Sequence, residues 1–133
     1  MKKSFFIIIL ISILSLSCSV ESSVGDLNSN SIIGSWTWQK SVGGIAGSTE
    51  TPESTGIQKK IVFTGEGKVM VYSNNVEITN TTYEIKKGTS IFDEKERSLI
   101  VFDGMTYVVQ FIDAHNLTIA DNFADGYSSD YKR

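Results

Sequence analysis

The sequence predicts an all-β domain: a small eight-stranded up-and-down antiparallel barrel with no major helix. Three observations predict it. From Gly34 onward no stretch repeats apolar residues with a helical period. Apolar and polar residues instead alternate in short runs, broken by turn residues about every 8–12 positions. All but one of the links between runs are short, which suits sequential hairpins closed on themselves without exposed edges.

The strands follow in order. Trp36 and Trp38 alternate with Thr37 and Gln39 in the first. A long link, Ser41 to Gln58, leads to Lys60–Thr64. Gly65-Glu66-Gly67 turns the chain into Lys68–Tyr72, and Asn74-Asn75 turns it into a fourth strand, Glu77 to Lys86. Ser98–Phe102 is the fifth, and Asp103-Gly104 is a strong hairpin signal leading into Met105–Ile112. Asp113–Asn116 turns into Leu117–Ala120, and Asp125-Gly126 leads to the last strand, Tyr127 to Arg133. Alternation assigns Ile61, Phe63, Val69, Leu99, Val101 and Phe111 to the barrel interior. These are large side chains, so the expected barrel is mostly filled, with binding confined to its mouth.

The long link holds Gly43, Gly44, Gly47, Gly56 and the sole proline, Pro52. It is expected to be mobile or to act as a lid at the mouth, with Ile45 folding over it or waiting for a partner.

The domain is preceded by an address. Met1-Lys2-Lys3 is a basic start, and Ser4 to Leu16 is almost wholly apolar. That is shorter than the roughly 20 residues that span a bilayer, so residues 1–17 read as a signal peptide. The run ends Leu14-Ser15-Leu16-Ser17-Cys18, which resembles a bacterial lipobox, with Ser15 where leucine is usual. The resemblance implies cleavage before Cys18 and acylation of its thiol by palmitate-like chains, which hold a protein on a membrane durably. Residues 18–31, rich in Ser and Asn, read as a flexible tether with a span of about 20 Å. Residues 32–133 are left as the folded domain, expected on the bacterial cell envelope, at the outer membrane or cell surface.

Composition narrows the function. The 133 residues carry 12 Lys+Arg against 15 Asp+Glu, and the balance is more acidic once Lys2 and Lys3 leave. That does not suit nucleic acid, whose phosphates need clustered cations. One Cys excludes an internal disulfide, and one His without a His/Cys cluster argues against a structural metal. No catalytic constellation is visible, so no enzyme and no cofactor is expected. His115 sits in a turn with no nucleophile nearby. Asp121–Gly126 begins like a calcium loop, but Phe123 takes the third ligand position and Lys132 the twelfth. Asp93–Arg97 is a mixed-charge tip, the usual composition of a solvated loop.

Gly34-x-Trp36 on the first strand and Arg133 on the last resemble the calycins: lipocalins, fatty-acid-binding proteins, avidins and small bacterial protease inhibitors. The wider pattern is Gly34-x-Trp36-x-Trp38, Val42-Gly43-Gly44, a late Asp-Gly hairpin and Tyr131-Lys132-Arg133. It is similar to lipocalin-like lipoproteins of Bacteroides-type bacteria, over residues 32 to 133. The resemblance implies that Arg133 lies across Trp36 and, with Gly34, closes the bottom of the barrel. A guanidinium over an indole is worth about 0.5–2 kcal/mol. Two functions follow as expectations. The first is a membrane-anchored protein that binds a small, partly apolar ligand at the barrel mouth, through Trp38, Ile45, Tyr83, Tyr107 and Phe111. The second is a protein-binding module, such as a periplasmic protease inhibitor or a component of a surface complex.

Overall fold

The structure, a computed structural model, describes residues 27–133. The signal peptide and Cys18 lie outside the described residues. In chain order the elements are α1 (Ser29–Ile32), β1 (Gly34–Gly43), β2 (Ser48–Glu50), α2 (Pro52–Thr55), β3 (Lys59–Phe63) and β4 (Lys68–Ser73). They continue with β5 (Val76–Thr82), β6 (Glu84–Thr89), β7 (Glu96–Phe102), β8 (Met105–Ile112), β9 (Asn116–Asp121) and β10 (Tyr127–Lys132). Both helices are single four-residue turns. The chain already packs at Leu27, inside the segment expected as tether.

One curled antiparallel sheet runs in the order β5-β4-β3-β1-β10-β9-β8-β7-β6, a half-barrel of nine strands, with β2 beside β1. The first and last strands are neighbours, and every other step joins strands adjacent in sequence apart from the β2 excursion. The hairpin turns are as their residues dictate. Asn74 and Asn75, and Asp103 and Gly104, all have positive φ, the conformation that two-residue hairpin loops require.

Two expectations are corrected here. The strand count is not eight. The segment foreseen as one strand, Glu77 to Lys86, splits at Tyr83 into β5 and β6, and the long link contributes β2. Nor is the sheet closed among the described residues. β4 lies between β3 and β5, and of the two halves of the bent segment it pairs with β5, from Lys68 opposite Thr82. β7 lies between β8 and β6, and of the two halves it pairs with β6, its Val101 opposite Glu84, before Asp103-Gly104 turns the chain back. Neither strand is long enough to cover both halves of the bent segment, so a seam stays open at Tyr83.

The long link is also more ordered than expected. β2 pairs with Ser41–Gly43 of β1. Thr51 caps α2 through a reciprocal pair of bonds with Ser54. Gly43 has φ 155°, and a Cβ there would stand 2.3 Å from the Gly126 carbonyl oxygen, so only glycine lets β1 and β10 approach this closely.

The core lies on the concave face. Trp36, Trp38, Phe63, Val69, Ile100 and Leu117 are at most 1% exposed. Side chains with no accessible surface line no space large enough for a water, so the inner face is filled around these residues, with Val71, Tyr83, Ile85, Tyr107 and Ile112 partly buried against them. On β7 the inward residues are Ile100 and Phe102, not Leu99 and Val101. Ser98–Phe102 is dominated by an apolar run without alternation, and its phase comes from pairing, which sets Ile100 opposite Tyr107. Leu99 and Val108 pair on the outer face and are buried there, outside the main core cluster. The β6–β7 loop is tied down on this side by Asn122, which accepts from the Ile91 N–H at 2.8 Å and donates to the Thr89 carbonyl at 3.0 Å. Phe111, expected inside, is 42% exposed. A bulge between Val109 and Phe111 inserts Gln110 and reverses the alternation.

Candidate functional site

Where β1 meets the end of β10, the structure brings together Gly34, Trp36 and Arg133. The Arg133 guanidinium lies 4.2 Å above the Trp36 ring. It donates to the carbonyls of Ala114 (2.7 Å), Ile33 (3.0 Å) and Ser31 (3.3 Å). The Trp36 indole N–H donates to the Ile32 carbonyl at 2.8 Å. Gly34 has φ +135°, and a Cβ there would come within 3.3 Å of the guanidinium. The glycine of the Gly-x-Trp pattern thus serves both a backbone conformation that L residues avoid and the approach of the arginine. This end is a clasp between the start of β1, with the turn before it, and Arg133.

The five ligand-binding candidates do not converge. Trp38 is buried, and its N–H donates to Ser41 Oγ at 2.8 Å, itself 2.7 Å from Ser129 Oγ. The Lys59 ammonium sits 4.5 Å from the Trp38 ring centre. Tyr83 and Tyr107 belong to an aromatic chain inside the sheet. Tyr83 meets Phe63 edge-on at 5.0 Å, Phe63 meets Phe102 at 6.2 Å, and Phe102 stacks on Tyr107 at 4.8 Å. Burial, reinforced by the charges of Asp121 and Asp103, pushes the Tyr107 hydroxyl up to about 12. Burial likewise raises that of Tyr131. Ile45 and Phe111 point to solvent, Ile45 at 92% exposure, so Ile45 does not fold back over the barrel.

The seam is the feature that sequence reasoning missed. Tyr83 holds its corner by donating its backbone N–H to the Gly67 carbonyl at 2.9 Å and its hydroxyl to the Thr64 carbonyl at 3.1 Å. Both bonds fasten it to the β3–β4 turn. Among the described residues β6 pairs with β7 alone, and β5 pairs with β4 alone. Along β5 Val76 and Ile78 are 63% and 62% exposed. Ile78 is the extra residue of a bulge, since Tyr72 faces Glu77 while Val71 faces Thr79. Where β5 meets the β7–β8 turn there is an open hollow of about 410 Å³, lined by Thr81, Thr82, Tyr83, Glu84, Val101 and Phe102, with Asp103 and Gly104 at the turn. A signal was available in Thr79-Asn80-Thr81-Thr82, a β-forming run with no large apolar residue to bury on either face.

Compared with known proteins, the chain matches no family model, no curated protein and no solved structure.

Proposed function

We propose that the protein is a membrane-anchored module that binds another protein through its outer surface, the second of the two functions expected from the sequence. The observation that carries this reading is the filled inner face: Trp36, Trp38, Phe63, Ile100 and Leu117 have essentially no accessible surface, and small-ligand carriers need a concave space. The apolar side chains that remain available face outward, among them Ile45, Val76, Ile78 and Phe111. Exposed apolar groups on a rigid sheet are a common starting point for protein recognition. In this reading Cys18 is acylated and holds the domain at the envelope, and Cys18→Ala releases it into the soluble fraction.

The test has two arms. An anilinonaphthalene sulfonate dye or a fatty acid should leave the tryptophan fluorescence unchanged. A photo-crosslinking residue introduced at Ile45, Ile78 or Phe111 in producing cells should give a discrete adduct with one protein. Stoichiometric quenching by the apolar probe, with no adduct from any of the three positions, would return the small-ligand reading.

A further inference from the structure

We propose that the free edge of β5 takes up an extended peptide strand of the partner protein, with a lysine or arginine of that strand seated between Glu84 and Asp103. The inference rests on the protein-binding reading above and names its surface and the partner's chemistry.

The first argument is the contrast between two open edges. An unpaired edge is a template for another chain, and proteins guard such edges with charge, proline or shortness. β6 is guarded: Glu84, Lys86 and Lys87 are three of its six residues. β5 has seven residues, Val76-Glu77-Ile78-Thr79-Asn80-Thr81-Thr82, with one charge and no proline, and its one bulge, at Ile78, leaves Thr79–Thr82 regularly paired with β4. Its threonines, Val76 and Ile78 are β-forming residues, and among the described residues its outer side faces no strand.

The second argument is position. β7 ends at Phe102, where the chain turns back. A strand laid along the free side of β5 would continue the line of β7 and bring its end to the Asp103-Gly104 turn. The hollow there is large enough for a long side chain, and its two charged lining residues, Glu84 and Asp103, are both acidic. Main-chain bonding supplies affinity in strand addition, and a pocket at one end supplies selectivity. Charge complementarity also separates the occupants. A second copy of β5 brings Glu77 and no cation to the hollow, whereas a basic strand fits it.

The probe is a short dansyl-labelled peptide of alternating threonine and valine with arginine at both ends, titrated against the full chain in detergent. Its counterpart carries glutamate at both ends. The arginine peptide should bind and slow hydrogen exchange across Val76–Thr82, leaving the Ile45 turn unchanged. The glutamate peptide should bind roughly fivefold more weakly or not at all. Glu84→Gln and Asp103→Asn should each weaken the arginine peptide roughly two- to fivefold. Asparagine tolerates the φ of 53° at position 103, so that variant keeps the turn. Ile78→Lys, which installs an edge guard at an exposed position, should weaken it roughly tenfold or more. Equal binding of both peptides, or protection anywhere but β5, overturns the inference. So does a crosslinked adduct from position 78 of twice the chain's mass, which would mean self-pairing. An adduct from Ile45 or Phe111 but none from position 78 overturns the inference and leaves the protein-binding reading standing. No adduct from any of the three overturns both.

Discussion

The two ends of the curled sheet treat unsatisfied groups in opposite ways. At the clasp, the last residue of the chain is spent on three carbonyls and an indole face, and the Trp36 N–H has a buried partner. At the seam, β5 and β6 each leave one side without a strand among the described residues. Two of the clasp's bonds, from Arg133 to Ile33 and Ser31, join residues about a hundred positions apart and so restrain nearly the whole described domain. The corner of the seam is fastened by bonds of shorter sequence span, from Tyr83 to Gly67 and Thr64 of the β3–β4 turn. Stability should therefore concentrate at the clasp, and the capacity to take a partner at the seam. Variants at the two places should separate folding from binding.

The largest effect is expected from Trp36→Ala. Trp36 has no exposed surface, and its truncation removes the floor under Arg133 as well as the core contact. Loss of about 3–5 kcal/mol is expected, read from urea denaturation. A loss below about 1 kcal/mol would mean that the clasp does not organise the fold. Tyr83→Ala comes next, at about 2–3 kcal/mol, because the half-buried ring gives up its edge contact with Phe63 and the bond to Thr64. It should also raise hydrogen exchange in the Gly65–Gly67 turn that Tyr83 fastens.

Removing Arg133 should cost less, about 1–2 kcal/mol, since its bonds are solvent-exposed although its stacking is close. Identical melting temperatures for the full chain and one ending at Lys132 would reduce the clasp to Trp36 alone.

How far the two regions could be read in the sequence follows from their physics. The clasp was legible because glycine, tryptophan and arginine at strand ends are individually informative residues. The hairpin turns were legible because Asn-Asn and Asp-Gly state their backbone geometry. The seam was not. Alternation runs unbroken through Tyr83, with 79, 81, 83 and 85 on one face, so the periodicity holds while the pairing partner changes. Which strand lies on which side depends on where β4 and β7 stop, a property of two other segments. Phe111 was misplaced for a related reason: a bulge at Gln110 adds one residue without altering local composition. Leu99 and Val101 were misplaced because β7 is apolar on both faces, so its phase is fixed only by its neighbours. The order in the long link was hidden as well, since the Thr51–Ser54 cap is short and sits among polar residues.

The aromatic chain that reaches from the seam to β8 gives a prediction in pH. The Tyr107 hydroxyl is held at about 12, whereas an unfolded phenol titrates near 10. Between those values the folded state keeps a proton that the unfolded state has lost. The stabilisation is complete below about pH 10 and declines as pH rises toward 12. Tyr107→Phe should make the alkaline loss of stability shallower over that interval and leave neutral stability nearly unchanged. An unaltered slope would mean that Tyr107 is more open to water than its stacking on Phe102 indicates.

The smallest effect on stability, and the sharpest use of the comparison, is Ile78→Lys. Ile78 is 62% exposed on a bulge of an edge strand, so its side chain contributes little burial that lysine's aliphatic stem cannot replace. The free energy of unfolding should change by no more than about 0.5 kcal/mol, the range of an ordinary surface exchange. The same substitution places a hydrated charge where an incoming strand must lie, so strand binding should fall while folding does not. Trp36→Ala supplies the reverse control: under conditions where it still folds, the β5 edge is intact and peptide affinity should be unchanged. If Ile78→Lys destabilises the domain as much as removal of Arg133 does, then β5 is a structural element packed against something on its outer side, and the division between a clasp that folds and a seam that binds fails.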